Sequence, residues 1–593
     1  MREVIDLNGP WRFLPDLDPQ YHDDDEYARP DWDRRHWDWM PVPGCWNKQA
    51  ERYAIYEGVA WYARTFELPG WAEGRVGVLR FGAANYAARV YVNGVPVGEH
   101  AGGYTEFLVD ASAALRAGEN LLAVRLDNRR QSILLPACLG WYNYGGLTRD
   151  VTLEVSQGGR LEWAGVEAEP AGAGAAGRWR AEWRPGGEAA RIEARIRGPR
   201  GEIVWEGRRA LAPGERSVEV AFTLDRAEPW SPAHPALYTL ELALAAADGR
   251  ALDDLAAPFG VRSLRAQGNK ILLNGESIWL KGICYLPDHP VTGFTYDAAA
   301  FRRDLDDLQA LGVNALRCHV PLHEAMWREC DRRGLLVWSE APIYCLDPKE
   351  ETGSAFSDPA YLALARGMLT EMVRAAYNHP SAILWSLGNE CKVAHPEAPA
   401  FFSELARTVR ALDRSRLLSY ASLYGEMGEV GDLLDVVGVN EYWGWYDRVS
   451  ARPGRDRQLE RQAARRADGT LALEIAPLDL GRLERELVAK AARYDKPLLL
   501  TEFGADAIPG YRADDLALWS EDYQAHCLEV TYEVLRQASH VCGAFPFLYQ
   551  DYPDPSKYVN AYWDGLNYKG VVTYDRARKA GWQALREIYA RIA

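Results

Sequence analysis

Near residue 263 the sequence changes period, and that change limits the fold more than any other feature of the chain. Beyond it, short apolar runs of strand length alternate with stretches whose apolar residues recur every three or four positions. Such alternation calls for a parallel sheet with helices packed against it. The apolar runs fall at 278–283, 315–320, 335–339, 382–387, 417–421, 436–440, 497–501 and 543–548. Between them, Phe301, Leu305, Leu308 and Leu311 mark one helix face, and Asp358-Pro359 reads as an N-cap followed by proline in the first turn. Trp582, Leu585, Ile588 and Ile592 mark the buried face of a closing helix. Eight strands with intervening helices fit a (β/α)8 barrel, which presents its chemistry on the loops after the strands.

The residues before this point read as β-structure. Ala88 to Val92, Asn93-Gly94 and Val95 to Val97 form a hairpin signal, since both turn residues tolerate positive φ. Further strands are expected at 121–126 and 150–155, then at 161–169, 179–183, 192–196, 218–224 and 237–244. The Gly/Ala-rich run 170–177 is read as a flexible hairpin loop within a second sandwich. At 593 residues the chain exceeds one core. The expected units are 1–155, 156–262 and 263–593.

A formal net charge of -16 disfavours nucleic acid and anionic membrane as partners. The nine cysteines are scattered without CxxC or metal-ligand spacing, as in a protein of a reducing compartment. No apolar leader segment and no run of 18 apolar residues occurs, so a cytoplasmic location is expected. No metal and no organic cofactor is implied. The 22 tryptophans and 31 tyrosines supply flat faces suited to sugar rings, although most such rings fill cores and interfaces.

The fourth strand ends Leu387-Gly388-Asn389-Glu390 and the seventh Leu500-Thr501-Glu502-Phe503-Gly504. Each run stays apolar until its last residues and then delivers a carboxylate at the barrel mouth. A single strand-terminal glutamate commonly forms a salt bridge or a cap. Two of them, at strands four and seven, match the pair that glycoside cleavage requires, one carboxyl protonating the leaving oxygen and one attacking or activating water.

Asn389-Glu390 and Thr501-Glu502 resemble the acid/base and nucleophile motifs of glycoside hydrolase family 2, and the resemblance spans nearly the whole chain. It includes Leu7 to Phe13, Tyr91-Val92-Asn93-Gly94, Asn143 to Arg149, Asn378-His379-Pro380-Ser381 and Trp519 to Gln524. It implies a jelly-roll-like sugar-binding sandwich, an immunoglobulin-like sandwich and a C-terminal catalytic TIM barrel. It also implies Glu502 as nucleophile, Glu390 as general acid/base, Asn389 on the sugar 2-hydroxyl and Tyr442 orienting the nucleophile. A retaining reaction through a covalent glycosyl-enzyme follows, with the carboxyls about 5–5.5 Å apart. Homo-oligomers are common in the family, and a homo-oligomer is expected here.

Asn567-Tyr568-Lys569-Gly570, after strand eight, resembles the uronate-recognising motif of the β-glucuronidase branch. An ammonium and an amide donor suit a C6 carboxylate, and a neutral sugar is expected to leave Lys569 unpaired. By the same resemblance Tyr446 approaches the carboxylate and His319 contacts the sugar. Three positions depart from the branch: Gly140 replaces an aspartate, Phe547 a tryptophan and Trp563 an arginine. All three bear on which C4 epimer fits. The expected substrate is a small-molecule or oligosaccharide glycoside with terminal β-glucuronate. A β-galacturonide and a neutral β-glycoside such as a β-galactoside are the alternatives, with a non-catalytic carbohydrate-binding protein the reading from another class. The loop at 341–357 is short, and the long Arg-rich segment 447–477 is expected to shape the aglycone side or a subunit contact.

Overall fold

The computed structural model describes residues 2–592 except 19–24, 73, 131–135, 137–139, 185–188, 347–353, 426, 447–461, 466–470, 475–477, 479 and 555–564, with backbone alone at 462–465 and 471–474. Trp563 and most of the 447–477 segment therefore lie outside the described residues. Within that segment, Gln462–Arg465 pairs antiparallel with Leu471–Glu474.

The N-terminal unit is a sandwich. A four-stranded sheet, in the order Glu3–Asp6, Val151–Ser156, Val76–Phe81 and Phe107–Asp110, faces a six-stranded sheet. The larger sheet runs Asp38–Val42, Gly9–Asp16, Val59–Leu68, Gly118–Asp127, Ala87–Val92 and Val95–Ala101. Alternate residues such as Phe13, Tyr62, Val90, Leu122 and Val124 point inward and make one buried cluster. The turn between the last two strands is the Asn93-Gly94 pair, at φ 53° and 83°, the left-handed region in which these residues are least penalised.

The second unit is a smaller sandwich of three strands (Arg160–Ala171, Gly174–Arg184, Ser217–Leu224) against four (Ile203–Ala210, Ala189–Arg197, Tyr238–Ala246, Ala251–Phe259). Trp179, Trp183, Ile192 and Leu240 fill its core. The expected loop at 170–177 is a correction: Pro170 pairs with Ala175 and Ala171 with Gly174, so strand pairing runs through the segment to a tight turn. Small side chains there do not weaken pairing, because Gly177 lies hard against the Glu167 carbonyl and the Phe222 ring, where a β-carbon has no room.

The third unit is a closed parallel barrel of Leu280–Cys284, Ala315–Cys318, Leu336–Glu340, Ala382–Asn389, Leu417–Leu423, Val436–Asn440, Leu498–Glu502 and Val541–Ala544. The expected 278–283 strand divides. Glu276–Ile278 joins a separate three-stranded sheet, and only Leu280 onward enters the barrel. Strand eight stops at Ala544, short of the expected 548. Phe301, Leu305, Leu308 and Leu311 are buried on helix Ala298–Leu311, as their spacing requires. On helix Pro359–Ala376 the Asp358 side chain accepts from the Ala360 N–H. On the last helix, Ala580–Arg591, Trp582 and Leu585 are buried and Ile588 packs at the margin of the core, as does Ile592, which caps the helix from just beyond its end.

Polar clasps join the units. Arg149 of the first sandwich donates to the carbonyls of Pro321 (2.5 Å) and Leu322 (3.4 Å), just after barrel strand two. Asn378 accepts from the Val166 N–H at 2.8 Å and donates to the Ala164 carbonyl at 2.7 Å, fastening the second sandwich to the barrel. Arg262 donates to the carbonyls of Pro380 and Ala382.

Candidate active site

Strand four is buried along its whole length and ends in a sharp reversal. Gly388 adopts φ 150°, and a β-carbon there would lie 2.6 Å from the Ile343 carbonyl oxygen. Glu390 follows at φ 50°, a strained setting for a residue with a side chain. The reversal is anchored on both sides: the Asn389 N–H donates to Ile343 O and the Glu390 N–H to Ala421 O, each at 2.9 Å.

Glu502 closes strand seven, and both its carboxylate oxygens are held. Oε1 accepts from Arg317 Nη1 at 2.7 Å, and Oε2 accepts from the Tyr442 hydroxyl at 2.7 Å. His319 Nε2 stands 3.5 Å from Oε1. Burial and the charge of Glu502 raise the Tyr442 phenol well above its ordinary range, so it remains a donor. The carboxylate is thereby fixed in position and aim.

Arg317 organises this floor. It is fully buried on strand two and spreads its second nitrogen to Asn389 Oδ1 (2.6 Å) and Glu340 Oε2 (3.3 Å). Burial alone would lower its ionisation, but Glu340 and Glu502 outweigh that, and the guanidinium stays charged. Glu340, last in strand three, also accepts from Ser386 Oγ at 2.8 Å and meets His319 Nδ1 at 2.9 Å. Burial opposes its charge, yet Arg317, His319 and Ser386 together hold it below the usual carboxylate range.

Asn440, ending strand six, connects the two glutamates. Its Nδ2 donates to Glu390 Oε1 at 2.7 Å and to Asn389 Oδ1 at 3.1 Å, while its Oδ1 accepts from Thr501 Oγ1 at 2.6 Å. The Asn389 carbonyl thus has two donors, which fixes its flip. Its Nδ2 is buried with no partner among the described residues. A bare amide donor beside two carboxylates is suited to a ligand hydroxyl.

Lys569 is buried, and its ammonium sits 4.8 Å from the Tyr446 ring centre, 5.7 Å from that of Trp445 and 5.9 Å from that of Tyr442. It is also paired with the Asp506 carboxylate. This corrects the expectation that a neutral sugar would strand Lys569: its charge is compensated within the fold. The Asn567 amide is likewise engaged, with Nδ2 donating to the Tyr552 hydroxyl (3.1 Å) and Asp554 Oδ2 (3.3 Å) and Oδ1 accepting from the Lys569 N–H. Lys569 therefore stays beside Tyr442, whose hydroxyl holds Glu502, while Asn567 shapes the turn that carries it.

A small cavity is lined by Gly140 and Trp141 of the first sandwich, Tyr344, Phe547, Tyr552 and His319, whose Nε2 is the atom that stands 3.5 Å from Glu502. Phe547 packs on His319 (ring centres 5.9 Å apart) and on Tyr552 (6.1 Å). Trp141 lies nearly parallel to His319 at 6.1 Å and donates its indole N–H to Tyr104.

Sequence reasoning missed Arg317, Glu340, Asn440 and Asp506 as site residues. Three carried a readable signal, Asn440 among them because it ends barrel strand six. Glu340 terminates a barrel strand as Glu390 and Glu502 do, and Arg317 lies two residues before His319, the spacing that places strand side chains on one face. Asp506 sits in an irregular loop, where spacing carries no such information.

Residues 264–593 match the family described as Glycosyl hydrolases family 2, TIM barrel domain, residues 4–156 its sugar binding domain, and residues 182–262 Glycosyl hydrolases family 2. A β-glucuronidase of Paenibacillus borealis is 28% identical, the alignment covering 99% of this chain and 96% of that protein. One from Felis catus is 28% identical over 100% of this chain and 91% of its own length. Among solved structures, a β-glucuronidase from an uncultured Clostridium sp. matches with TM-score 0.85 and 25% identity, covering 100% of this chain and 98% of that one. A β-galacturonidase from Eisenbergiella tayi bound to galacturonate matches with TM-score 0.82 and 27% identity, over 100% and 98%. With all three units matched in order, the chain belongs to glycosyl hydrolases family 2 and is a glycoside hydrolase.

Proposed function

We propose that this enzyme removes a terminal β-linked glucuronate from a small-molecule or oligosaccharide conjugate, with retention of configuration. The observation that carries the reading is the placement of buried Lys569 beside Tyr442, whose hydroxyl holds Glu502. An ammonium has three N–H donors, and Asp506 accepts from one. The others are available to a C6 carboxylate in a low-dielectric pocket.

In this reading Glu502 attacks the anomeric carbon while Glu390 protonates the departing oxygen, and Glu390 then takes the proton of the incoming water. Arg317 and Tyr442 keep Glu502 aimed, and Asn389 Nδ2 donates to the 2-hydroxyl. His319, Tyr446 and Phe547 line the glycone pocket. Gly140 and Trp141 bring the first sandwich against one side of the cavity, which supports action on a terminal residue. A β-galacturonide is the second reading, favoured by Gly140, which brings no polar side chain to that wall. The proposed form is a cytoplasmic homo-oligomer. Free thiols at every described cysteine support a reducing compartment, and among the described residues no helix is long and apolar enough to cross a membrane.

The test is a panel of nitrophenyl β-glucuronide, β-galacturonide, β-glucoside and β-galactoside, assayed with wild type and Lys569→Ala. Uronides should be preferred by wild type, and the variant should lose roughly 100-fold in kcat/KM on uronides only. A wild type that favours neutral glycosides, or a loss spread evenly over the panel, would overturn the uronate reading.

A further inference from the structure

One polar group facing the cavity takes no part in the scheme above. Tyr344 follows strand three, its backbone bridged to Asn389, and its ring packs between Trp141 (5.4 Å between centres) and His319 (5.8 Å). Tyr344 is half-buried, so its hydroxyl can be met by a group that enters the cavity. Among the described residues the Tyr344 hydroxyl has no hydrogen-bond partner, and it faces the cavity that Gly140 and Phe547 also line. Burial, followed by Cys345, Glu390 and Glu502, raises its ionisation well above the ordinary phenol range, so it keeps its proton beside both glutamates.

Gly140 explains how the hydroxyl reaches that place. A β-carbon at residue 140 would stand 3.4 Å from Tyr344 Oη, in ordinary contact, so any longer side chain would compete with the phenol for the same space. The first sandwich therefore leaves this wall open, and strand three supplies its polar group instead. The position along the sugar follows by elimination within the proposed arrangement. The glutamates take C1, Asn389 takes the 2-hydroxyl, and Lys569 takes C6 from the side of strands six to eight. Strand three lies across the closed barrel from strand seven. The hydroxyls left for that wall are those at C3 and C4.

We propose that Tyr344 is a specificity-determining residue, its Oη donating to the 3- or 4-hydroxyl of the terminal sugar, with Gly140 kept bare so that the phenol can reach it. This rests on the reading of the cavity as the glycone pocket. The experiment compares Tyr344→Phe with wild type on the preferred nitrophenyl glycoside and on its 3-deoxy and 4-deoxy analogues. The variant should lose about tenfold or more in kcat/KM on the parent, as for a lost substrate hydrogen bond, and nothing further on the analogue that lacks the partner hydroxyl. Gly140→Leu, which displaces the phenol without removing it, should give a similar loss, and the double variant should be no worse than the larger single loss. A Tyr344→Phe enzyme within about twofold of wild type, or one slowed equally on the parent and both analogues, would overturn the assignment. Because the parent is whichever glycoside wild type prefers, a neutral-sugar preference would sink the uronate reading while leaving the Tyr344 comparison intact.

Discussion

The two glutamates are held differently, and the difference bears on their roles. Glu502 receives a charged donor and a phenol on its two oxygens, which together fix its position and aim. Glu390 is itself in the left-handed region and accepts from the neutral amide of Asn440 on Oε1. Glu390→Ala should therefore retain glycosyl-enzyme formation on substrates with good leaving groups but lose about 10²–10⁴-fold on poor ones. Added azide should restore turnover in this variant and yield the glycosyl azide of retained configuration; the same variant giving inverted azide would exchange the two assignments. Glu340 supplies a second test at this scale. Its folded ionisation is depressed, so its contribution to stability is present above the unfolded carboxyl value of about 4.3 and disappears as pH falls through the lower folded value. Glu340→Gln leaves Arg317 with one counter-charge fewer. It should cost about 3–5 kcal/mol near neutral pH and flatten the acid limb of the stability profile, as measured by urea unfolding across pH.

At the scale of elements, strand ends were legible because a barrel strand must be apolar until it reaches the mouth, so Glu390 and Glu502 stood out at the close of two such runs. Helix faces were legible for the same reason of period. What could not be read were the partners that only the closed barrel brings together. Arg317 reaches Glu502 across 185 residues of chain, and Asp506 reaches Lys569 across 63. Expecting Lys569 to wait unpaired for a substrate failed on this point, since a buried ammonium needs its counter-charge in the unliganded fold as well. Helix Glu521–Gln537 shows how an element serves the site from behind. Ser520 caps it by accepting from the Tyr523 N–H, and Gln524 then donates one amide nitrogen to the carbonyls of Ala505, Lys569 and Gly570. Gln524→Leu should destabilise the protein by about 1–3 kcal/mol, because buried carbonyls lose their donor. It should also raise KM for the preferred glycoside more than it lowers kcat. An unchanged KM would mean that the turn holds Lys569 without the helix.

At the scale of the whole molecule, the site depends on the seam between the first sandwich and the barrel. Gly140 and Trp141 close the cavity from one side, and Trp141 lies against His319 of barrel strand two's loop. That loop is the one Arg149 grips, since Pro321 and Leu322 follow His319 directly. Burial pushes the Arg149 guanidinium down to about 10, with Glu106 and Tyr104 acting against that, so it stays charged at neutral pH although carbonyl oxygens are what it grips. Such a clasp couples two cores without a salt bridge that screening could weaken. Arg149→Ala should therefore lose about 1–3 kcal/mol from the coupling, and calorimetry should show a sandwich transition separating below that of the barrel. The same variant should raise KM, because the loop carrying His319 and the wall carrying Trp141 would no longer be fixed to one another. If the heat-capacity trace kept the width and midpoint of wild type, the sandwich and barrel would have to be coupled through other contacts, with Tyr144 on Asp288 and His100 on Glu371 the next to test.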